Sequence, residues 1–473
     1  MYQKSKPTLI VGGGFVGLFT ALHLSHQKYQ QPIVLIEPRD RFSFKPLLYE
    51  LLSGELQAKQ VHPRYTDLLA GSGVTIVQDT AVEIDLHHQR VVLASGRDYD
   101  YDRLVLALGS QTKYFNTPGA TEYALPMTSG AEAIALRDRL QARLRQAIQT
   151  PDPQQRCPLL TVAIIGAGPS GIELACTLGD LLPLWYEDLG GDIDEVRVIL
   201  INRSGELLKG DINSRLRSTA ARSLKQRGVQ MLFDTSVTAI YPDAIRCTKG
   251  DRTFSLKAGT IAWTAGTAPH PLLQELAINE PEHRDRQGRL LVTPTLQLPG
   301  FPEVFAAGDC ATNHADPQPP TAQVAYQQGK AIAQNLQALV ENKTLLPATV
   351  NLRGTLMKLG LNESVANLFD KFKIEGQPGH LVRTGTYLEL LPHLRHNLKV
   401  TADWLTDEIF QRHRPVRSQR LGQTPWLSGM ATIAAGLLIA TPLVWRAAQP
   451  TQFQQQMNST GMPALIDRMA PTK

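Results

Sequence analysis

Two glycine-rich turns constrain this chain more than any other feature. The first is Gly12-Gly13-Gly14-Phe15-Val16-Gly17 and the second is Gly166-Ala167-Gly168-Pro169-Ser170-Gly171. Each follows a short apolar run, residues 8–11 and 162–165, and each opens a helix-like stretch. Only in that strand–turn–helix setting does a G-x-G-x-x-G spacing carry meaning. The first glycine permits a tight turn, and the second lets backbone N–H groups approach a pyrophosphate. The third lets the helix pack on the strand, and the helix N-terminus favours the phosphate charge. Two such turns predict two dinucleotides side by side, and a flavin beside a nicotinamide is an arrangement for hydride transfer.

The pattern around the first turn reads as strand 9–11, a helix over 16–27 and strand 33–36. Glu37 closes that second strand, where an acid accepts hydrogen bonds from a ribose diol. Residues 74–108 alternate in short runs, as in a small antiparallel sheet, and 104–109 returns as a buried strand ending on Gly109. A linker at 116–119, a charged helix over 131–149 and a break at Pro151-Asp152-Pro153 follow. The second unit starts at Thr161; its helix passes Glu173, and its second strand, 196–201, ends on Asn202-Arg203 instead of an acid. A helix over 213–227, strands near Met231, Val237 and Ile245, and the run 261–266 complete it. That last run echoes 104–109, so the module is repeated. The expected fold is α/β, with two Rossmann-like dinucleotide-binding domains, one from 1–118 and 267–343 and the other from 119–266.

The chain is long enough, at 473 residues, for two or three domains with real cores. With 42% hydrophobic and 19% charged residues it is globular, and a net charge of +5 without a long basic run argues against nucleic acid as a partner. Cys157, Cys176, Cys247 and Cys310 are scattered, with no CxxC, and read as reduced thiols of a cytoplasm-facing protein. The 12 histidines show no paired ligand spacing, so no metal site is expected. Lys4 and Lys6 precede an apolar run too short for a signal peptide. Residues 426–445, WLSGMATIAAGLLIATPLVW, carry no charge and have Trp at both ends, which predicts a single transmembrane helix. A surface-lying anchor and a core helix are the alternatives. Arg412, Arg414, Arg417 and Arg420 before the stretch, against Arg446 after it, place the catalytic body on the cytoplasmic side.

Several further runs carry a family resemblance. Gly308-Asp309 and Ala107-Leu108-Gly109 join the glycine turns as features of two-dinucleotide flavoprotein reductases in general. Phe44-Lys45-Pro46-Leu47-Leu48-Tyr49, then Ala322-Gln323-Val324-Ala325-Tyr326-Gln327, then Asn397-Leu398-Lys399 with Asp403-Trp404-Leu405 are more specific. Together these resemble type II NAD(P)H:quinone oxidoreductases, the single-subunit, non-proton-pumping NADH dehydrogenases, over residues 7–415. The apolar stretch 426–445 resembles extensions of some cyanobacterial members, for which a thylakoid or plasma membrane is the expected location.

The resemblance implies FAD in the first domain, on Gly12, Gly14, Phe15, Val16 and Gly17, with Glu37 on its ribose and Asp309 on a ribityl hydroxyl. Pro46, Ala107, Gly109, Ala322 and Gln323 complete that site. NADH or NADPH would lie on Gly166, Gly168, Pro169, Gly171, Asn202, Arg203 and Gly266, with Glu173 close to where nicotinamide meets flavin. Gln323 and Gln327, four apart on one helix face, would line a quinone pocket, and residues 344–425 would dock on the membrane, with a homodimer possible. A neutral Asn202 beside Arg203 and Ser204 removes the repulsion of a 2′-phosphate, so NADPH is expected to be accepted. A disulfide reductase needs a cysteine pair after the first unit, and residues 40–60 have none. A sulfide:quinone oxidoreductase, a reductase of a demethylphylloquinone-type naphthoquinone precursor and a non-respiratory redox sensor remain as other readings.

Overall fold

Both glycine turns sit at the C-terminal edge of a parallel sheet. The computed structural model describes residues 6–392, apart from 211–213, 279–282, 353 and 369–371. The expected transmembrane stretch 426–445, the 446–473 tail and the 397–405 motifs lie outside the described residues. No helix among the described residues is long and apolar enough to cross a membrane.

In the first sheet Thr8–Val11 lies between Ile33–Ile36 and Arg103–Leu106, both parallel to it. Thr75–Val77 extends the sheet beyond Ile33–Ile36, and Phe301–Ala306 extends it beyond Arg103–Leu106. The strands Thr8–Val11 and Ile33–Ile36 are wholly buried. A strand covered on both faces must be apolar throughout, which is why these runs are continuous and not alternating. The helix Phe15–His26 covers one face and crosses the helix Ala322–Val340. Their backbones touch at Gly329, where a Cβ would lie 2.8 Å from the Val16 carbonyl oxygen.

The second sheet repeats this plan. Thr161–Ile165 is flanked by Arg197–Ile201 and Thr260–Trp263, again parallel, with Gln230–Leu232 and Leu125–Pro126 outside them. The runs that echo each other, 104–109 and 261–266, occupy equivalent strands. One expectation needs correction. The 74–108 region is not one antiparallel sheet: Thr75–Val77 joins the main parallel sheet, and only Ala81–Asp85, Arg90–Leu93 and Asp98–Asp100 form the antiparallel one. The two antiparallel linkers, Ser110–Thr112 and Thr267–Pro269, carry the chain between the units.

A third unit, which the sequence left unpatterned, consists of the strands Gly354–Gly360, Glu363–Leu368 and Phe372–Glu375 and the helix Gly376–Glu389. Buried charge bolts it to both others. Lys358 Nζ lies 3.1 Å from Glu50 Oε1 and 2.8 Å from Glu55 Oε2, and Arg383 Nη1 lies 2.5 Å from Glu50 Oε1. All four side chains are at most 5% exposed. On the second unit, Arg227 bridges Asp180 and Glu363 at 2.8 Å each, and the Leu361 N–H donates to Asp180 Oδ2 at 2.9 Å. Burial alone would raise the Glu50 carboxyl, but Arg383 and Lys358 outweigh it and hold it at about 2.

Removing one partner of such a cluster strands buried charge. Lys358→Met is expected to lower the urea-unfolding free energy at pH 7 by about 3–5 kcal/mol. The sign with pH follows from Glu50: its depressed carboxyl contributes stability above its ordinary value of 4.5 and loses it as pH falls toward 2. The gap between the wild type and Lys358→Met should therefore narrow as pH drops through that window. A gap of equal size at pH 7 and pH 3 would contradict this account.

Candidate functional site

At the first turn the three glycines divide the work as their spacing predicts. Gly12 has φ +101°, and a Cβ there would lie 2.5 Å from the Ala107 carbonyl oxygen. A side chain at Gly17 would overlap the Gly12 carbonyl, so the helix sits directly on the turn. Nothing lies within 4 Å of the position a Gly14 side chain would take. That open space faces the N-terminus of Phe15–His26, which has no side-chain cap. Uncapped N–H groups beside open space form an anion site, and the residues present fit the pyrophosphate of an FAD. Phe15 packs among Phe19, Phe42 and Phe44, and Val16 packs against Gly308 and Gly329, so what these two offer the cavity is backbone N–H.

Glu37 is 3% exposed at the end of its strand. The Gly13 N–H donates to its Oε2 at 2.8 Å, and Arg39 Nε donates to its Oε1 at 2.9 Å. Around the same sheet edge, Ser110 Oγ donates to Asp309 Oδ2 at 2.8 Å and the Gly308 N–H donates to Gln328 Oε1 at 2.8 Å. Gly109, with φ +64°, has open space where a side chain would be. Asp309, Gly109 and the start of the Ala322–Val340 helix are thereby gathered at one end of the sheet. Thr321 Oγ1 caps that helix by accepting from the Val324 N–H at 3.3 Å.

The second turn copies the first. Gly166 has φ +109°, Gly168 faces open space, and a side chain at Gly171 would overlap the Gly166 carbonyl. Pro169 occupies the first helical turn, where its missing N–H costs nothing. Asn202 stands where Glu37 stands in the first unit. Its Oδ1 accepts from the Ala167 N–H at 3.2 Å, and its Nδ2 donates to Ser204 O, Ser204 Oγ and Glu206 O at 3.0, 2.7 and 2.9 Å. Asn202 therefore shapes the 203–206 loop, leaving the neighbouring Arg203 exposed.

Glu173, on the helix Pro169–Asp188, is enclosed where all three units meet. Its Oε1 accepts from the Lys358 backbone N–H at 2.8 Å. Burial raises its carboxyl above the ordinary range, and nearby Arg383 with the Lys358 N–H pulls it only partway back. Two cations, Lys358 and Arg383, face three acids here, Glu50, Glu55 and Glu173. Glu50 and Glu55 hold the ion pairs described above, so Glu173 is the acid whose carboxyl burial leaves raised. Arg383 Nη2 also donates to the Pro46 carbonyl oxygen at 2.6 Å, which fixes the Phe44–Tyr49 run against this cluster.

Gln323 and Gln327 do share a face, and strand-entry backbone covers it. Gln327 Nε2 donates to Asn351 O at 3.2 Å, and its Oε1 accepts from the Asn351 N–H at 2.9 Å. Gln323 Nε2 reaches Gly354 O at 3.5 Å. The strand Gly354–Gly360 thus begins at Gln323 and meets Glu173 at Lys358. Four residues of extended chain separate those ends by about 13 Å. Sequence reasoning missed Glu50, Lys358 and Arg383. One signal was available for Lys358: a lone lysine in the apolar run Thr355-Leu356-Met357-Lys358-Leu359.

Comparison with known proteins assigns the chain to a family. Residues 6–329 match the family described as pyridine nucleotide-disulphide oxidoreductase. The chain is 34% identical to demethylphylloquinone reductase NdbB of Synechocystis over 84% of this chain and 95% of that protein. It is 32% identical to the type II NADH:quinone oxidoreductase Ndh of Mycobacterium tuberculosis over 70% and 72%. Among solved structures it resembles NDH2 of Plasmodium falciparum in complex with NADH, with a TM-score of 0.76 at 18% identity, covering 86% of this chain and 99% of that one. The chain belongs to the pyridine nucleotide-disulphide oxidoreductase family and, within it, to the type II NAD(P)H:quinone oxidoreductases, flavoenzymes that pass electrons from a reduced nicotinamide to a quinone.

Proposed function

We propose that FAD lies on the first glycine turn and NAD(P)H on the second, and that the quinone is reduced near Gln323 and Gln327. The observation that carries this reading is the strand Gly354–Gly360, which joins Gln323 at its start to Glu173 through Lys358. FAD, when bound, supplies the redox chemistry: it accepts hydride from the nicotinamide and gives the electron pair to the quinone. The chain positions the reactants. The N–H groups of Gly14, Phe15 and Val16 would hold the pyrophosphate, Glu37 the ribose and Asp309 the ribityl chain, with Ala107, Gly109 and Pro46 alongside. The N-terminus of Ala322–Val340 would lend its dipole to the reduced flavin. Glu173 lies at the nicotinamide side, its carboxyl raised above the ordinary range by burial, and the Lys358 backbone N–H holds that carboxyl in place. Anaerobic mixing of the flavin-loaded protein with NADH or NADPH is expected to bleach the flavin absorbance. Gly168→Val, which fills the open space of the second turn, should abolish bleaching while flavin stays bound.

The second turn also bears on which nucleotide is used. An acid at the strand end repels a 2′-phosphate; Asn202 keeps the bond to the turn without the charge, and Arg203 and Ser204 stand beside it. We infer that NADPH is a substrate. Asn202→Glu is expected to lower kcat/KM for NADPH about a hundredfold, roughly 2.7 kcal/mol, with a far smaller effect for NADH. Equal loss for both nucleotides would refute the assignment.

The third unit and residues 393–445 form the membrane side in this reading. The 426–445 stretch holds the enzyme in or on the bilayer from its cytoplasmic face, in a thylakoid or plasma membrane. Quinone enters from that face, and the third unit is the surface on which two copies would pair. Flotation with quinone-loaded lipid vesicles should be retained by the full chain and lost on deletion of residues 421–473. Flotation unaffected by the deletion would contradict the anchor.

A further inference from the structure

We propose that Phe115 is a positioning residue of the nucleotide site, an aromatic wall against the nicotinamide half of bound NAD(P)H; this rests on the reading that Gly166–Gly171 hold that nucleotide. Phe115 is one of few large apolar side chains left open on the described surface, at 52% exposure. Its backbone has φ +50°, and Asn116 follows at φ +54°, two successive non-glycine residues in the left-handed region. Such conformations persist only where the surroundings enforce them, and they gather at functional sites.

Here the surroundings are the end of a nucleotide-binding strand. The Lys113 N–H donates to Gly266 O at 3.2 Å. Trp263 Nε1 donates to Lys113 O at 3.2 Å and to Ala265 O at 2.6 Å, and Tyr114 packs on the Trp263 ring at 5.4 Å. Residues 113–115 are therefore fastened across the C-terminal end of Thr260–Trp263. The Phe115 ring covers Gly266, where any side chain would collide with it, and Lys113 Nζ stands 5.5 Å from the ring centroid. Ala265 in turn abuts the glycine turn: a Cβ on Gly166 would lie 2.9 Å from Ala265 Cα.

Topology tells which half of the dinucleotide this is. Thr161–Ile165 lies between Arg197–Ile201 and Thr260–Trp263, so the crevice opens where strand order reverses, and a dinucleotide crosses there. One half extends over Asn202 and the other over Ala265–Gly266. The latter side continues into Thr267–Pro269, which pairs with Ser110–Thr112 of the flavin unit. The half facing the flavin must be the nicotinamide, and Phe115 is the apolar surface beside it.

The test uses flavin-loaded protein and isothermal titration with NAD+, NADP+ and ADP, the last lacking the nicotinamide half. Phe115→Ala is expected to weaken NAD+ and NADP+ by about tenfold and to leave ADP within about twofold. Phe115→Tyr should bind like the wild type, and Phe115→Leu should fall between. Unchanged affinity for NAD+ and NADP+ in Phe115→Ala, or an equal loss for ADP, overturns the proposal. Failure of the unaltered protein to bind ADP, NAD+ or NADP+ would instead strike the reading of the second turn.

Discussion

The buried contact of Glu50 with Lys358 and Arg383 is the constraint on which the arrangement of the three units depends. Each residue comes from a different stretch: Glu50 from the helix Leu48–Ser53, Lys358 from a strand and Arg383 from the last described helix. An isolated charge at such depth is too costly to persist, so none of the three can be buried unless the others arrive. The third unit consequently docks in one place. Apolar packing alone would accept several registers of a short strand against a helix; a charged triad accepts one.

That docking sets the chemistry available at Glu173. Its carboxylate meets a backbone N–H of the strand that carries Lys358, so the same contact that places the third unit also places the acid. Glu50 and Glu55 take up the positive charge of Lys358 and Arg383. Among the described residues Glu173 gains a hydrogen bond but no ion pair of its own, and burial raises its carboxyl above the ordinary range. His380, buried beside Lys358, is pushed down to about 3 by that burial and by the lysine, so it adds no further positive charge. The raised carboxyl of Glu173 thus follows first from its burial, since the neighbouring cations are already paired with Glu50 and Glu55.

Much of this was legible in the sequence where the cause is local. The glycine turns and the strands expected at 9–11 and 33–36 are set by neighbours within a few residues, and the structure places them within a residue of expectation; the echoing strands end at Leu106 and Trp263, three residues before the glycines expected to close them. The strand Thr75–Val77 was misplaced because its partner, Ile33–Ile36, is remote, and a three-residue strand has no periodicity to reveal it. The ion cluster was hidden for the same reason. Glu50 and Lys358 are separated by 308 positions, and no spacing rule connects them. Gln323 and Gln327 were correctly put on one face, but the backbone that covers this face comes from the unpatterned third zone.

The repeated module also explains why the two glycine turns differ so narrowly. In the first unit the second residue of the turn, Gly13, donates its N–H to Glu37 at 2.8 Å. In the second unit the equivalent residue, Ala167, donates to Asn202 at 3.2 Å. Both strand ends are thus tied to their turns by one side-chain oxygen, and that bond requires an acceptor, not a charge. Asparagine satisfies it with Oδ1, and its Nδ2 then organises the loop that leaves Arg203 exposed. The exchange of acid for amide therefore removes a negative charge from the strand end while leaving the bond to the turn intact. The two side chains share the bond to the turn, whereas the Nδ2 contacts that shape the 203–206 loop belong to the amide alone.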